Sequence, residues 1–238
     1  SRAAPPAPGS ELYRSDGTAA GTRLVADLAP GPAGSDPRAM TAGATRLYFL
    51  ADAPSPQTLW TSDGTEAGTI LLDPDIGYSS GGFYLPAVTL DDKLIFTVFD
   101  DSGWRICQSD GTVAGTGILA DNWPNDYRTL PAFMQRIGDH VIFSADDGVH
   151  GYEPWITDGT PEGTALWLDI DPGPGTVWPN AIGVVNGYLL FAAYAESQGS
   201  ELWSVQLPAP PEPSLDSYSV SVGHLLRGAS VLMNDRDA

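Results

Sequence analysis

One short pattern occurs four times in this sequence, and its spacing leaves few architectures open. [Ser/Thr]-Asp-Gly-Thr stands at 15–18, 62–65, 109–112 and 157–160. Its aspartates, Asp16, Asp63, Asp110 and Asp158, are separated by 47, 47 and 48 residues. Each copy is followed at a fixed distance by a second Gly-Thr: Gly21-Thr22, Gly68-Thr69, Gly115-Thr116 and Gly163-Thr164. Four matched double motifs at one period mark a tandem repeat, so the fold is built from one supersecondary unit per copy.

The surrounding residues repeat as well. A pair stands just before each motif: Leu12-Tyr13, Leu59-Trp60, Ile106-Cys107 and Pro154-Trp155. A fifth copy, Leu202-Trp203 in "ELWSV", lacks the Asp-Gly-Thr. Apolar runs follow the second Gly-Thr, among them "RLVADL" and "ILLDPD". Paired blocks complete the unit: "AMTAGATRLYFLAD" (39–52), "AVTLDDKLIFTVFD" (87–100), "FMQRIGDHVIFSAD" (133–146) and "AIGVVNGYLLFAAY" (181–194). Short segments rich in aromatic and branched residues, bounded by turn residues, read as strands. Four strands per unit of 40 to 50 residues predict an all-β fold, a β-propeller with four-stranded blades. Residues 11–206 span close to four periods, which predicts four blades. The repeat is permuted, however. It opens on the third and fourth strands of one unit and closes on the first three of another. Five blades, or a strand shared between subunits, is the alternative. Tyr13, Trp60, Trp155 and Trp203 are the blade aromatics, and Cys107 takes that place in the third copy.

The motif itself admits a structural and a chemical reading. Asp16-Gly17, Asp63-Gly64, Asp110-Gly111 and Asp158-Gly159 suit a tight turn, because glycine tolerates positive φ and aspartate bonds the backbone two residues on. The threonine hydroxyls can cap exposed amides. The turn is the favoured reading over an active-site or metal loop. The 27 glycines and 21 prolines fit a protein of many turns.

Charge narrows the partners. With 11 Lys and Arg against 30 Asp and Glu, the net charge is −19, which disfavours phosphate backbones and anionic membranes. Nucleic acid is therefore not expected. No run of 18 apolar residues predicts a membrane span. A single cysteine, Cys107, excludes an intramolecular disulfide. The three histidines, His140, His150 and His224, have no metal-type spacing, and no nucleophile elbow or phosphate loop is present. The sequence therefore predicts no enzyme. Calcium is the one cofactor to consider, at the acidic loop that carries Asp146 and Asp147 before Gly148. That loop lacks the full set of acidic positions of a calcium-binding loop. Trp104, Trp123, Trp167 and Trp178 lie outside the repeated aromatic position, so they serve either the core or stacking on glycans.

"ELYRSDGTAAGTRLVADLAPGP" (11–32), "LWTSDGTEAGTILL" (59–72) and "ADDGVHGYEPWITDGTPEGTALWLDIDPGP" (145–174) resemble the bacterial ELW-x-x-DGT repeat. The resemblance implies a β-propeller from a large secreted or surface protein, with no known chemistry attached to its motifs. "RICQSDGT" departs from it, with Arg105 and Cys107 in place of Glu and the aromatic.

Outside the repeat, residues 1–10 form a Pro/Ala-rich arm of the kind expected after a cleaved leader or between domains, and 207–214 a Pro-rich linker. The tail, 215–238, is similar to the opening of bacterial cadherin-like or immunoglobulin-like tandem modules. It alternates polar and apolar residues. Tyr218, Val220, Val222, Val231 and Leu232 are its candidate assembly residues, able to add a strand to a neighbour. The expected function is a non-enzymatic, extracellular or cell-surface adhesion or fibre subunit of a bacterium. Its expected partners are copies of itself or other surface proteins. The alternative is a lectin-like, glycan-binding propeller assisted by calcium.

Overall fold

A computed structural model describes residues 9–73, 87–100, 103–121, 123–124, 131–174, 177, 180–195 and 199–207. The fold is all-β, a series of small antiparallel sheets taken up in chain order. The first sheet has two strands, β1 (Leu12–Arg14) and β2 (Arg23–Ala26). The second has four: β3 (Arg38–Ala42), β4 (Leu47–Ala51), β5 (Thr58–Ser62) and β6 (Ile70–Asp73). The third holds β7 (Ala87–Leu90), β8 (Lys93–Asp100), β9 (Gly103–Ser109) and β10 (Thr116–Ala120). The fourth holds β11 (Ala132–Ile137), β12 (His140–Asp146), β13 (Tyr152–Thr157) and β14 (Ala165–Leu166). The fifth has three strands among the described residues: β15 (Asn180–Val185), β16 (Tyr188–Ala195) and β17 (Gly199–Gln206). The four strands expected per repeat are therefore present in the three middle sheets and in their expected order. Among the described residues, β1 and β2 pair with no strand of the fifth sheet.

Alternation decides the packing. Successive strand residues point to opposite faces, so each sheet offers one face to its predecessor and one to its successor. In β4, Phe49 and Ala51 turn back to Leu12 and Val25 of the first sheet. Tyr48 and Leu50 turn forward to Leu94, Phe96 and Val98 of the third. Ile95 and Ile106 meet Val141, Phe143 and Trp155 of the fourth. Ile142 then meets Leu189 and Phe191 of the fifth. Four apolar interfaces thus join five sheets, each filled from both sides.

Polar bonds bridge these interfaces. The Tyr48 hydroxyl donates to the Asp92 carbonyl and, at 3.2 Å, to that of Ser109 in β9. Burial pushes its pKa up to about 12, so the phenol keeps its donor proton across the working pH range. The Asp92 carboxylate, just before β8, accepts from the Thr45 amide at 2.6 Å and from the Thr45 hydroxyl.

The blade aromatics follow the same alternation. Trp60, Trp155 and Trp203 each pack on the preceding sheet, as does Cys107. Tyr13 departs from the expectation of a core aromatic and is 49% exposed. It lies in the first sheet, and among the described residues no earlier sheet covers it.

Phe96, buried in the interface between the second and third sheets, tests this packing. Phe96→Ala should lower stability by about 3–5 kcal/mol. Urea unfolding followed by tryptophan fluorescence measures it, and an unmoved midpoint would contradict the burial.

Candidate functional site

The four Asp-Gly-Thr loops share one set of hydrogen bonds. In the second copy, the Ser62 hydroxyl bonds the Thr69 hydroxyl at 2.7 Å across the loop base and accepts from the Gly64 amide at 3.0 Å. Asp63 Oδ1 accepts from the Thr65 amide at 2.8 Å and the Thr65 hydroxyl at 2.6 Å. Thr65 Oγ1 accepts from the Gly68 amide, and the Thr69 hydroxyl donates to the Thr65 carbonyl. The copies centred on Asp16, Asp110 and Asp158 repeat these bonds. Gly17, Gly64, Gly111 and Gly159 all have φ between 82° and 89°, the left-handed turn geometry expected of them.

The second glycine has a steric role that the sequence leaves unspecified. A Cβ on Gly68 would lie 2.1 Å from Asp63 Oδ1, and Gly21, Gly115 and Gly163 stand equally close to their own aspartates. The carboxylate therefore lies flat against the backbone of the loop it organises. Its bonds are spent inside the loop, which makes the motif a staple between two strands.

Two buried glutamates went unassigned in the sequence. Glu11 accepts from the Leu28 amide at 3.0 Å, the Ala29 amide at 3.3 Å and the Ser35 hydroxyl at 2.6 Å. Glu153, fully buried, accepts from the Ile170 and Asp171 amides, each at 3.1 Å. Burial raises the Glu153 pKa against the pull of those two amides. Both glutamates anchor the loop after the fourth strand. A signal for this exists in the sequence: "DLAPGP" and "DIDPGP" follow the two Glu copies, while the copies with Thr58 and Arg105 lack Pro-Gly-Pro.

The acidic loop holds its carboxylates inward. Asp146 Oδ1 accepts from the Gly148 amide at 2.7 Å. Asp147 accepts from the Val149 and His150 amides, each at 2.9 Å, and meets His150 Nδ1 at 2.8 Å. That contact raises the His150 pKa. Among the described residues, no group of three or more His, Cys, Asp or Glu side chains is placed to hold a metal ion. Of the candidate glycan-stacking tryptophans, Trp104 and Trp123 are buried between the third and fourth sheets. Trp167 packs against the core between the fourth and fifth, and Trp178 lies outside the described residues. Trp104 and Trp123 thus take the core alternative: their rings fill an interface that aromatic bulk stabilises.

The least satisfied part of the fold is its end. In the second, third and fourth sheets, the strand carrying the aromatic is covered on its outer edge by β6, β10 and β14. Among the described residues, β17, eight residues long, pairs with β16 alone. The turn is missing there too. Arg46 lies over Gly111 of the next sheet, and Lys93 Nζ donates to the Gly159 carbonyl at 2.8 Å. His140 stands at the matching place in the fourth sheet, but the fifth offers Gln206 and Leu207 where an Asp-Gly turn would lie. The result is a groove of about 680 Å³ lined by His140, Ile142, Ile156, Val184, Gln206 and Leu207. The tail residues Tyr218, Val220, Val222, Val231 and Leu232 lie outside the described residues, as does nearly all of the linker.

No family model and no curated protein matches the chain. Solved structures do. TolB from Acinetobacter baumannii matches at 14% identity and a TM-score of 0.40, over 80% of this chain and 49% of that one. Puromycin hydrolase matches at 15% and 0.45, over 79% of this chain and 29% of the enzyme. Endo-arabinase from Bacteroides thetaiotaomicron matches at 12% and 0.33, over 71% and 74%. The chain thus spans about half the length of that TolB and under a third of the hydrolase. TolB is a β-propeller-type neighbour, and this chain is likewise all-β and made of several small antiparallel sheets. Among the described residues, no helix is long and apolar enough to cross a membrane.

The staple generates two expectations. Gly68→Ala should destabilise the protein by displacing the Asp63 carboxylate, and should cost less when introduced beside Asp63→Ala. Urea midpoints of the four proteins in that cycle measure the coupling. The second concerns acid. Bonds from the Thr65 hydroxyl and amide hold the Asp63 pKa below its ordinary value of 3.8, and Asp16 and Asp110 are lowered through the matching threonines. A lowered folded-state pKa stabilises fully above the unfolded value and is lost as pH falls through the folded one. Between pH 5 and about pH 2, Asp63→Asn should therefore lose less stability than the parent chain.

Proposed function

We infer that this chain is a non-enzymatic structural module of the bacterial cell surface or extracellular space. Its sheets serve as blades of a propeller, and copies join through strand addition by residues 215–238. One observation supports this reading: among the described residues, the fifth sheet ends at β17, whereas the matching strand of each four-stranded sheet is paired on that edge. An open edge of eight residues presents unpaired N–H and C=O groups in a row, which is a template for another strand. The tail provides one by composition. Ser217, Ser219 and Ser221 alternate with Tyr218, Val220 and Val222, so one face would be apolar and the other polar.

The blade count rests on the same strands. Among the described residues, three sheets have four strands, the first has the pair matching third and fourth strands, and the last has those matching the first to third. In this reading, one chain does not close a ring of four by itself. A strand shared between subunits completes the last blade and turns a ring-forming repeat into a joining one. The resemblance to secreted bacterial repeats supports the location. The net charge of −19 supports a partner other than nucleic acid.

Deleting 214–238 should abolish self-association and leave the sheets folded. Size-exclusion chromatography and negative-stain electron microscopy read the first, and far-ultraviolet circular dichroism the second. Assemblies of unchanged size from the shortened chain would overturn strand addition by the tail.

A further inference from the structure

We propose that Glu153 is a pH-sensitive latch: ionisation of its carboxyl loosens the connector 167–174 from β13 and weakens the joint between the fourth and fifth sheets. How copies associate has no bearing on it, because the joint lies inside one chain.

The chain contains two copies of one clamp. In the first unit, the Ser35 amide donates to the Ser10 carbonyl at 2.8 Å, and the Ser35 carbonyl accepts from the Asp52 amide at 2.6 Å. In the fourth, the Val177 amide donates to the Tyr152 carbonyl at 3.1 Å, and the Val177 carbonyl accepts from the Tyr194 amide at 2.9 Å. Ser10 and Tyr152 stand just before Glu11 and Glu153. Ser35 and Val177 therefore occupy the same place, between a glutamate and the second strand of the next sheet. Their side chains differ. Glu11 accepts from two connector amides and from the Ser35 hydroxyl at 2.6 Å. Glu153 accepts from two connector amides, and valine offers no hydroxyl. Glu153 and Val177 are both fully buried.

The connector also brings charge of the same sign. Asp171 stands where the first unit has Ala29, and Asp169 where it has Asp27. Both aspartates disfavour a further negative charge at Glu153. From the turn between β12 and β13, His150 stands in the field of Glu153 and Asp169 and is bonded to Asp147. A carboxyl that is buried, one donor short of its counterpart and near two carboxylates keeps its proton to higher pH than one in water. The segment it holds fills the joint. Trp167, Leu168 and Ile170 pack with Ile142, Leu189 and Phe191 between the fourth and fifth sheets. The Trp167 and Leu168 amides donate to the Pro154 carbonyl at 2.9 and 3.2 Å, next to Glu153 in β13.

Burial is the main cause of the raised Glu153 pKa; the two amides oppose it, and Asp169 and Asp171 add to it. A raised folded-state pKa gives stability that is fully present below the unfolded value, 4.5 for this group, and is lost as pH rises through the folded one. Opening the connector returns the carboxyl to water, so the clamp is tightest in weak acid and loosens toward neutrality. The His150 pKa is raised as well, from 6.5, so its contribution is lost in the same direction but higher in the range.

Native-state amide hydrogen exchange of the isotope-labelled full chain tests the latch. Rates corrected for the intrinsic pH dependence of exchange give an opening constant for each amide. For Ile170 and Asp171 that constant should rise several-fold from about pH 4.5 to about pH 7.5, and rise less for Leu28 and Ala29. Glu153→Gln keeps an acceptor and cannot ionise, so it should flatten the rise. Val177→Ser supplies the missing hydroxyl and should reduce it. Ser35→Val should steepen the response of Leu28 and Ala29. These two exchanges carry the test if Glu153→Gln fails to fold. His150→Asn should leave the rise in place below about pH 6.5. A flat response in the parent chain would overturn the proposal, as would an undiminished rise in Glu153→Gln or Val177→Ser. Loss of the rise in His150→Asn would overturn it by moving the titrating group to His150. An equal rise at the amides of β12 and β13 would report global unfolding, and the latch would fail.

Discussion

Everything in this molecule depends on the two-faced burial of each sheet. A sheet of four short strands has apolar residues on both sides and cannot keep either from water by itself. Trp60 on one face of β5 and Leu59 on the other show the arrangement in adjacent residues: one packs backwards, the other forwards. Stability is therefore shared between neighbours, much as in other repeat folds. The second, third and fourth sheets, each covered on both sides, bury most residues of their two central strands. The sheets at the ends are half-covered, and their backward or forward residues meet solvent.

The Asp-Gly-Thr loops serve that packing by fixing the hairpin between the third and fourth strands of each unit. Removing an aspartate or the glycine beneath it would free backbone amides in all the loop's turns at once, since the carboxylate and both threonine hydroxyls hold one another. The cations before the second strands add a link across sheets, with Lys93 reaching the Gly159 carbonyl and Arg46 lying over Gly111. The buried glutamates Glu11 and Glu153 gather the loop that leads to the next unit. Local turn chemistry and long-range packing therefore meet at the same few residues. The hydrogen bonds described for the motif's side chains lie within the loop, and those of the glutamates go to backbone amides and, for Glu11, to the Ser35 hydroxyl.

Much of this was legible in the sequence. The period of 47 or 48 residues, the four strands per unit and the positive-φ glycines follow from the repeat and from what glycine and aspartate do in turns. The internal fate of the motif was legible in outline, as a turn in preference to an active loop. Other features were not. Trp104 and Trp123 sit outside the repeated position, and nothing in their neighbourhood said which interface they would fill; both lie between the third and fourth sheets. The second glycine looked like the end of a loop, because only the folded loop brings its backbone against a carboxylate five residues earlier.

The sequence by itself determined the unit: its strands, its turn and the alternation of its apolar residues. Those are local properties, set by spacing and by the conformational preferences of single residues. Only the tertiary structure decided which face of each strand looks forward and which looks back. That direction depends on the side to which the next sheet is laid, a contact between residues some fifty positions apart. For the same reason Tyr13 and Leu202, alike in sequence to buried residues in every other copy, are the ones left in water.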